Sequence, residues 1–294
     1  MSQTESQFAF ALHGGAGAVA GRNYDIAEAH MAELTADCEA RLANGASCLD
    51  VVEHAVRELE RSGLYVAGRG SAPNSAGYVE LDASIMYGPN REAGAVAALS
   101  GFEFPIAVAR DVMDKTPHVL LVGKGAQEFA KQNEHAVVPD DENYYRLPVG
   151  VTAQDLEVSS AHGTVGAVAR DTSGAVAAAT STGGTFGKLE GRVGDTPLIG
   201  PGTWADDNIA ISCTGTGEHI IRAGGAVSIA CAVAQGVDLR QAIADMLDEV
   251  KRLGGDAGVI AVDRNLEIAM LYNSDGMKRA SVSSSAPAYV ATFA

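Results

Sequence analysis

Aromatic side chains are scarce in this chain: they make up 5% of its 294 residues, with a single tryptophan. Hydrophobic content is nevertheless 47% and glycine numbers 34, so a core has to be built from small aliphatic residues. That composition favours sheets and helices stacked in close layers. Positive charge is also short, with 21 Lys+Arg against 37 Asp+Glu and a formal net charge of −16. This excludes nucleic acid and anionic membranes as main partners and leaves a small-molecule substrate open. No apolar run approaches the ~20 residues that cross a bilayer. The cysteines are Cys38, Cys48, Cys213 and Cys231. They form no C-x-x-C and no metal-like spacing with histidine, and read as reduced thiols of a cytoplasmic protein. Residues 1–7 carry no basic stretch, so no signal peptide is expected. G-x-S-x-G, H-E-x-x-H and G-x-x-x-x-G-K-[ST] are all missing, which removes three common catalytic and nucleotide-binding signatures.

What is present falls into blocks. Residues 8–12 read as a buried strand that stops at His13-Gly14-Gly15-Ala16-Gly17. Ile26, His30/Met31, Leu34, Cys38 and Leu42 have helical spacing over 25–44, with Gly45 as the stop. Ser47 then caps a second helix through Val51, Val52, Ala55, Val56 and Leu59, closed by Gly63. Strands are expected over 78–86, 94–99 and 118–122, a helix from Pro105 to about 113, and a short helix over 127–132. Residues 139–163 have no periodicity and read as a long loop. After it come strands over 165–171 and 175–182 around the turn Thr172-Ser173-Gly174. A strand over 209–214 runs into a glycine turn and a helix from Gly217. Asp238 caps another helix, and a hairpin turns at Arg264-Asn265. Residues 281–285 read as a serine cluster. Early and late helices around β-rich blocks suit two packed sheets between helix layers, and not a regular βαβ repeat.

Four short segments carry chemistry. Thr164 stands in Ala161-His162-Gly163-Thr164-Val165-Gly166, at the end of the long loop. A threonine hydroxyl needs a base. If the Gly163–Thr164 bond is cut, the new α-amine, with a pKa of about 7.7–8, supplies one without any histidine. Gly163 lets the hydroxyl approach its carbonyl and tolerates strained backbone. Thr182, in Thr180-Ser181-Thr182-Gly183-Gly184, ends the next strand and could support that hydroxyl. Arg192 and Asp195, in Gly191-Arg192-Val193-Gly194-Asp195, match an amino-acid headgroup: a guanidinium fork for its carboxylate and an acceptor for its ammonium. Thr214 and Gly215, in Cys213-Thr214-Gly215-Thr216-Gly217, supply donors for an oxyanion. Singly, each has an ordinary reading: a strand-end threonine, a surface Arg/Asp pair, a packing turn. The run from Gly14 to Gly21 also allows a nucleotide-binding, non-catalytic α/β protein, although the acidic residue expected about 20 positions on has no counterpart.

As an ordered set these segments resemble the plant-type asparaginase / isoaspartyl peptidase family of N-terminal nucleophile hydrolases. The resemblance begins at Leu12-His13-Gly14-Gly15-Ala16-Gly17. It continues through Leu81-Asp82-Ala83-Ser84-Ile85-Met86 and Lys115-Thr116-Pro117-His118 to the four segments above. It implies a single domain over 1–294 of α/β (α+β) class, folded as a four-layer αββα sandwich. It also implies autocleavage into 1–163 and 164–294, assembly as (αβ)2, and no catalytic cofactor. By motif, Thr164 is then the nucleophile, assisted by Thr182. Arg192 and Asp195 bind the headgroup, with Gly215 and Gly217 beside it, and Thr214 and Gly215 line the oxyanion site. The implied reaction is hydrolysis of β-aspartyl dipeptides or of the asparagine side-chain amide through an aspartyl ester. A glycosylasparaginase of the same fold is the alternative. The family also implies a structural sodium ion on backbone carbonyls of Leu59, Glu60, Ser62, Tyr65, Ala67 and Arg69. One motif departs: Phe-Asn-Ala-Gly in the family is Tyr65-Val66-Ala67-Gly68 here. Val66 lacks the asparagine's donor, so Asn74 or water replaces it or the substrate range differs.

Overall fold

The computed structural model describes residues 7–152, 155 and 163–294. Part of the long loop, including Ala161 and His162 of the threonine motif, therefore lies outside the described residues.

Among the described residues, twelve strands form two sheets. Strand β1 (Ala9–His13) sits inside the larger one, between β11 (Arg279–Ser283) and β5 (Val165–Arg170). The order continues through β6 (Val176–Thr182), β2 (Leu81–Tyr87), β3 (Ala93–Leu99) and β4 (Leu120–Val122), with β12 (Ala286–Ala291) at the far edge. All its pairs are antiparallel except β3 with β4. The smaller sheet runs β10 (Ile268–Tyr272), β9 (Ala257–Asp263), β8 (Ile209–Gly215) and β7 (Thr203–Ala205).

Helices α1 (Asp25–Ala43), α2 (Cys48–Ser62), α3 (Pro105–Lys115) and α4 (Gly123–Gln132) cover the outer face of the large sheet. A short α5 (Asp141–Tyr144) follows. Helices α6 (Gly217–Ala223), α7 (Gly225–Ala234) and α8 (Leu239–Arg252) cover the small sheet. The layer order is αββα, as the resemblance implies.

The capped helices form where the sequence places them. Ser47 accepts from Asp50 N at 3.2 Å and Gly63 closes α2 with φ +71°. Asp238 accepts from Gln241 N at 3.1 Å. In α1 the buried stripe is Ala27, Met31, Leu34, Cys38 and Leu42, so Ile26, one residue off the stripe, faces solvent.

Three apolar layers hold the sandwich. Large side chains such as Phe10, Leu12, Met31 and Leu59 pack between the helices and the large sheet. A second cluster, with Ile229, Ile243 and Val250, lies under the small sheet. Between the sheets the layer is mostly alanine and valine: Ala9, Ala11, Val168, Ala178, Ala205, Ala210 and Val262. That is where the scarcity of aromatic residues is used, since small side chains bring the two sheets close enough to share a site.

Five elements were not expected from the sequence: α5, a single helical turn inside the segment read as a long loop, and the four that follow. Strand β7 is three residues long, and α7 begins behind Gly224 and Gly225, both at positive φ. Strands β11 and β12 occupy the segment read as a serine cluster. Ser281 and Ser283 are buried in β11 with the Ser284-Ser285 turn beyond, so polar residues hide the alternation.

Candidate active site

The β5–β6 register pairs Val165 with Ser181. One step outward, this sets Thr164 opposite Thr182 at the end of the hairpin. Both are buried. The Thr164 hydroxyl donates to Thr182 Oγ1 at 3.4 Å, and the Thr182 hydroxyl donates to the Gly163 carbonyl at 2.6 Å. Thr182 Oγ1 also accepts from Gly184 N at 2.9 Å, which fixes its rotamer. A pocket opens beside them, lined in part by Gly163, Thr164, Thr182, Arg192, Asp195, Gly215 and Gly217. Six segment-level candidates thus meet Gly163 at one cavity.

Arg192 and Asp195 converge over Gly217. A Cβ there would lie 3.0 Å from an Arg192 terminal nitrogen and 3.0 Å from Asp195 Oδ1, so a glycine is what lets both heads reach the pocket. The two do not form the surface pair that a bland reading allowed. Arg192 instead holds Glu218 with two bonds, Nε to Oε1 at 2.8 Å and a terminal nitrogen to Oε2 at 2.9 Å. Asp195 is buried, and its Oδ2 has no partner among the described residues. Burial pushes its carboxyl up to about 7, as expected for a carboxylate awaiting a cation.

Thr214 is fully buried at the end of β8, and its Oγ1 accepts from Ala16 N at 3.2 Å. That bond uses a lone pair and leaves the hydroxyl proton free to donate. Thr214 stands behind the pocket and does not line it, whereas Gly215 does. Gly215 has φ +138°, and a side chain there would strike the Asp256 carbonyl, so only glycine fits this turn.

Sequence reasoning gave His13 no role beyond its place in the Leu12–Gly17 run. It is buried, with Nδ1 3.1 Å from the Thr164 carbonyl and Nε2 2.9 Å from Ser212 Oγ. A carbonyl only accepts, so Nδ1 carries the proton and Nε2 accepts from Ser212. Burial lowers its pKa to about 3, so the ring stays neutral. A file of hydroxyls extends from there. Thr180 lies 2.8 Å from Ser212, Thr203 donates to Thr180 at 2.6 Å, and Ser84 lies 2.7 Å from Thr203. The file crosses from one sheet to the other and ends on the backbone of Thr164. Gly166 makes room for it, since a Cβ there would collide with Ser212 Oγ and His13 Nε2. The sequence signal was Gly166 itself, two residues past Thr164.

The glycine run after β1 is not a phosphate cradle. A Cβ on Gly14 would meet the Tyr65 ring at 2.5 Å, and one on Gly15, at φ +99°, would lie 3.2 Å from Thr164 N. These glycines face protein and back the threonine. Val66 packs on Gly163, its Cγ2 2.8 Å from a Cβ placed there, and its carbonyl accepts from Gly183 N. Asn74 does not replace the missing donor. Its amide nitrogen donates to Glu80 at 2.9 Å, and its oxygen accepts from Ala76 N and Tyr78 N.

A four-layer αββα sandwich with a buried threonine leading an inner strand is the architecture of the N-terminal nucleophile hydrolases. The chain belongs to the asparaginase family, whose sequence pattern matches residues 6–291. It is 42% identical over 292 residues to the isoaspartyl peptidase of Salmonella typhimurium, covering 92% of this chain and 93% of that one. It is 40% identical to the isoaspartyl peptidase of Escherichia coli, covering 92% and 91%. A probable isoaspartyl peptidase/L-asparaginase 2 of Arabidopsis thaliana is 38% identical, covering 92% and 94%. No described helix is long and apolar enough to cross a membrane.

Proposed function

We propose that this chain hydrolyses the β-amide bond of β-aspartyl dipeptides and of L-asparagine, using Thr164 after cleavage of the Gly163–Thr164 bond. One observation carries the reading: Thr182 donates to the carbonyl of the bond to be cut while touching the Thr164 hydroxyl.

In maturation, Thr164 Oγ adds to the Gly163 carbonyl carbon, and the Thr182 hydroxyl stabilises the developing oxyanion. The C–N bond breaks as the proton given up by Thr164 Oγ passes to its nitrogen, which becomes the Thr164 amine, and water hydrolyses the resulting ester. The products are residues 1–163 and 164–294. In turnover, Arg192 and Asp195 hold the α-carboxylate and α-ammonium of the aspartyl unit. Thr164 Oγ attacks the β-carbonyl and the amine takes its proton, then delivers it to the leaving nitrogen. The Gly215 backbone, which lines the pocket with Thr214 behind it, stabilises the oxyanion. Water then releases aspartate from the ester. For its carboxylate to enter, the substrate displaces Glu218 from Arg192.

Assembly as (αβ)2 and a cytoplasmic location complete the proposal. Residues 59–69 fit a small monovalent cation. Glu60 is buried there, with Oε2 unpartnered among the described residues. The carbonyls of Leu59, Tyr65, Ala67 and Arg69 each accept one hydrogen bond and keep a second lone pair. With those of Glu60 and Ser62 they would hold sodium, whose charge would stiffen the loop that carries Val66.

Intact mass over several days tests the central step. The wild-type chain should split into 1–163 and 164–294, and Thr164→Ala should stay whole. A folded wild-type chain that stays whole removes the amine base and the proposed function with it.

A further inference from the structure

Gly163 is a wall shared by two cavities. On one side lies the pocket with Thr164, Arg192 and Asp195. On the other lies a second cavity, lined among others by Tyr24, Val66, Gly163 and Lys278. With the aspartyl headgroup held by Arg192 and Asp195 and its carbonyl at Thr164, the leaving nitrogen points away from the first pocket. The second cavity is the space beside Gly163 that remains for it.

Two cations border that second cavity, and they differ. Arg22 is spent on Asp155, with bonds of 2.7 and 3.0 Å, and on the Gly150 carbonyl. Lys278 is buried, and no carboxylate or carbonyl among the described residues accepts from its ammonium. Its only described partner is the face of Tyr24, 5.0 Å from Nζ to the ring centre. Its place is fixed by the turn that backs Thr164: Gly14 N donates to the Lys278 carbonyl at 2.8 Å, and Lys278 N donates to Gly15 O at 3.2 Å. A buried ammonium without an acceptor is costly and calls for an anion. Burial accordingly lowers its pKa to about 8, which leaves it mainly charged at neutral pH.

Resting on the function proposed above, we infer that Lys278 determines leaving-group specificity by binding the α-carboxylate of the residue released from a β-aspartyl dipeptide. Val66, apolar and in the same cavity, faces that residue's side chain. The substrate class is therefore β-aspartyl dipeptides with a free C-terminal carboxylate and an aliphatic leaving residue. Asparagine, which releases ammonia, makes no use of Lys278.

The test compares β-aspartyl-leucine, β-aspartyl-leucinamide and L-asparagine on fully cleaved wild-type protein, Lys278→Met and Lys278→Arg. Wild type should favour the acid over the amide by about tenfold or more in kcat/KM, expressed in KM. Lys278→Met should lose that preference while asparagine turnover stays within about twofold, and Lys278→Arg should keep part of it. The wild-type comparison needs no variant to fold. Equal rates on acid and amide in wild type would mean that another carboxylate, such as the one freed at Gly163 on cleavage, occupies Lys278, and would overturn the inference. So would a preference that survives Lys278→Met. A mature wild-type protein inert on all three substrates overturns the proposed function as well.

Discussion

On the proposed function, Asp195 couples binding to stability through one buried carboxyl. Its folded pKa of about 7 lies above the ordinary value of 3.8. Between those limits the folded state binds the extra proton, so stability falls as pH rises from about 4 to about 7. Above pH 7 the ionised carboxylate, its Oδ2 unpartnered among the described residues, costs the fold on the order of a few kcal/mol. On the proposed function a substrate ammonium offsets that cost, which is a reason to leave Oδ2 without a partner. KM should therefore fall as pH rises through about 7, while the Thr164 amine acts on kcat. Asp195→Asn should lose about a hundredfold or more in kcat/KM, lose the pH dependence of KM, and raise Tm at pH 8. Melting curves and pH profiles check both. An unchanged Tm with unchanged KM would show that Asp195 does not face the ammonium.

At the scale of elements, the β5–β6 hairpin does more than carry two threonines. Gly166 admits the His13–Ser212 bond, so Gly166→Ala should push His13 off the Thr164 carbonyl. Maturation should slow by about tenfold or more, followed as the fraction cleaved on a denaturing gel. Normal cleavage would show that the hydroxyl file has no part in placing Thr164. This is also where legibility in the sequence divides. Helices α2 and α8 announce themselves through Ser47 and Asp238, and the hairpin through Thr172-Ser173-Gly174, because caps and turns are local chemistry. Thr164, Thr182, Arg192, Asp195, Gly215 and Gly217 were legible as segments, since glycines bracket each. His13, Ser84, Thr180, Thr203 and Ser212 were not, because each lies in a strand where its type is unremarkable. Only the packing of β1, β2, β6, β7 and β8 makes them a chain. Lys278 was silent for the same reason: its meaning depends on a cavity formed with Tyr24 and Gly163.

At the scale of the whole molecule, the site is split between the sheets. Thr164 and Thr182 belong to the large sheet, and Thr214 and Gly215 to the small one, so their separation is set by the alanine-rich layer between them. Ala178→Leu, in that layer, adds volume where small residues hold the sheets close and should cost about 1–3 kcal/mol. It should also move one half of the site against the other and slow maturation and turnover by about tenfold or more, since displacements near 1 Å suffice for such losses. Val250→Ala is the contrast. It opens a void under the outer face of the small sheet, at a cost of the order of 2 kcal/mol, without changing the spacing between sheets. Its Tm should drop to a similar extent, while its cleavage rate stays that of wild type. If both variants lose rate in proportion to stability, sheet spacing is not what sets the geometry. If only Ala178→Leu does, the small side chains of this sequence are part of its catalytic design.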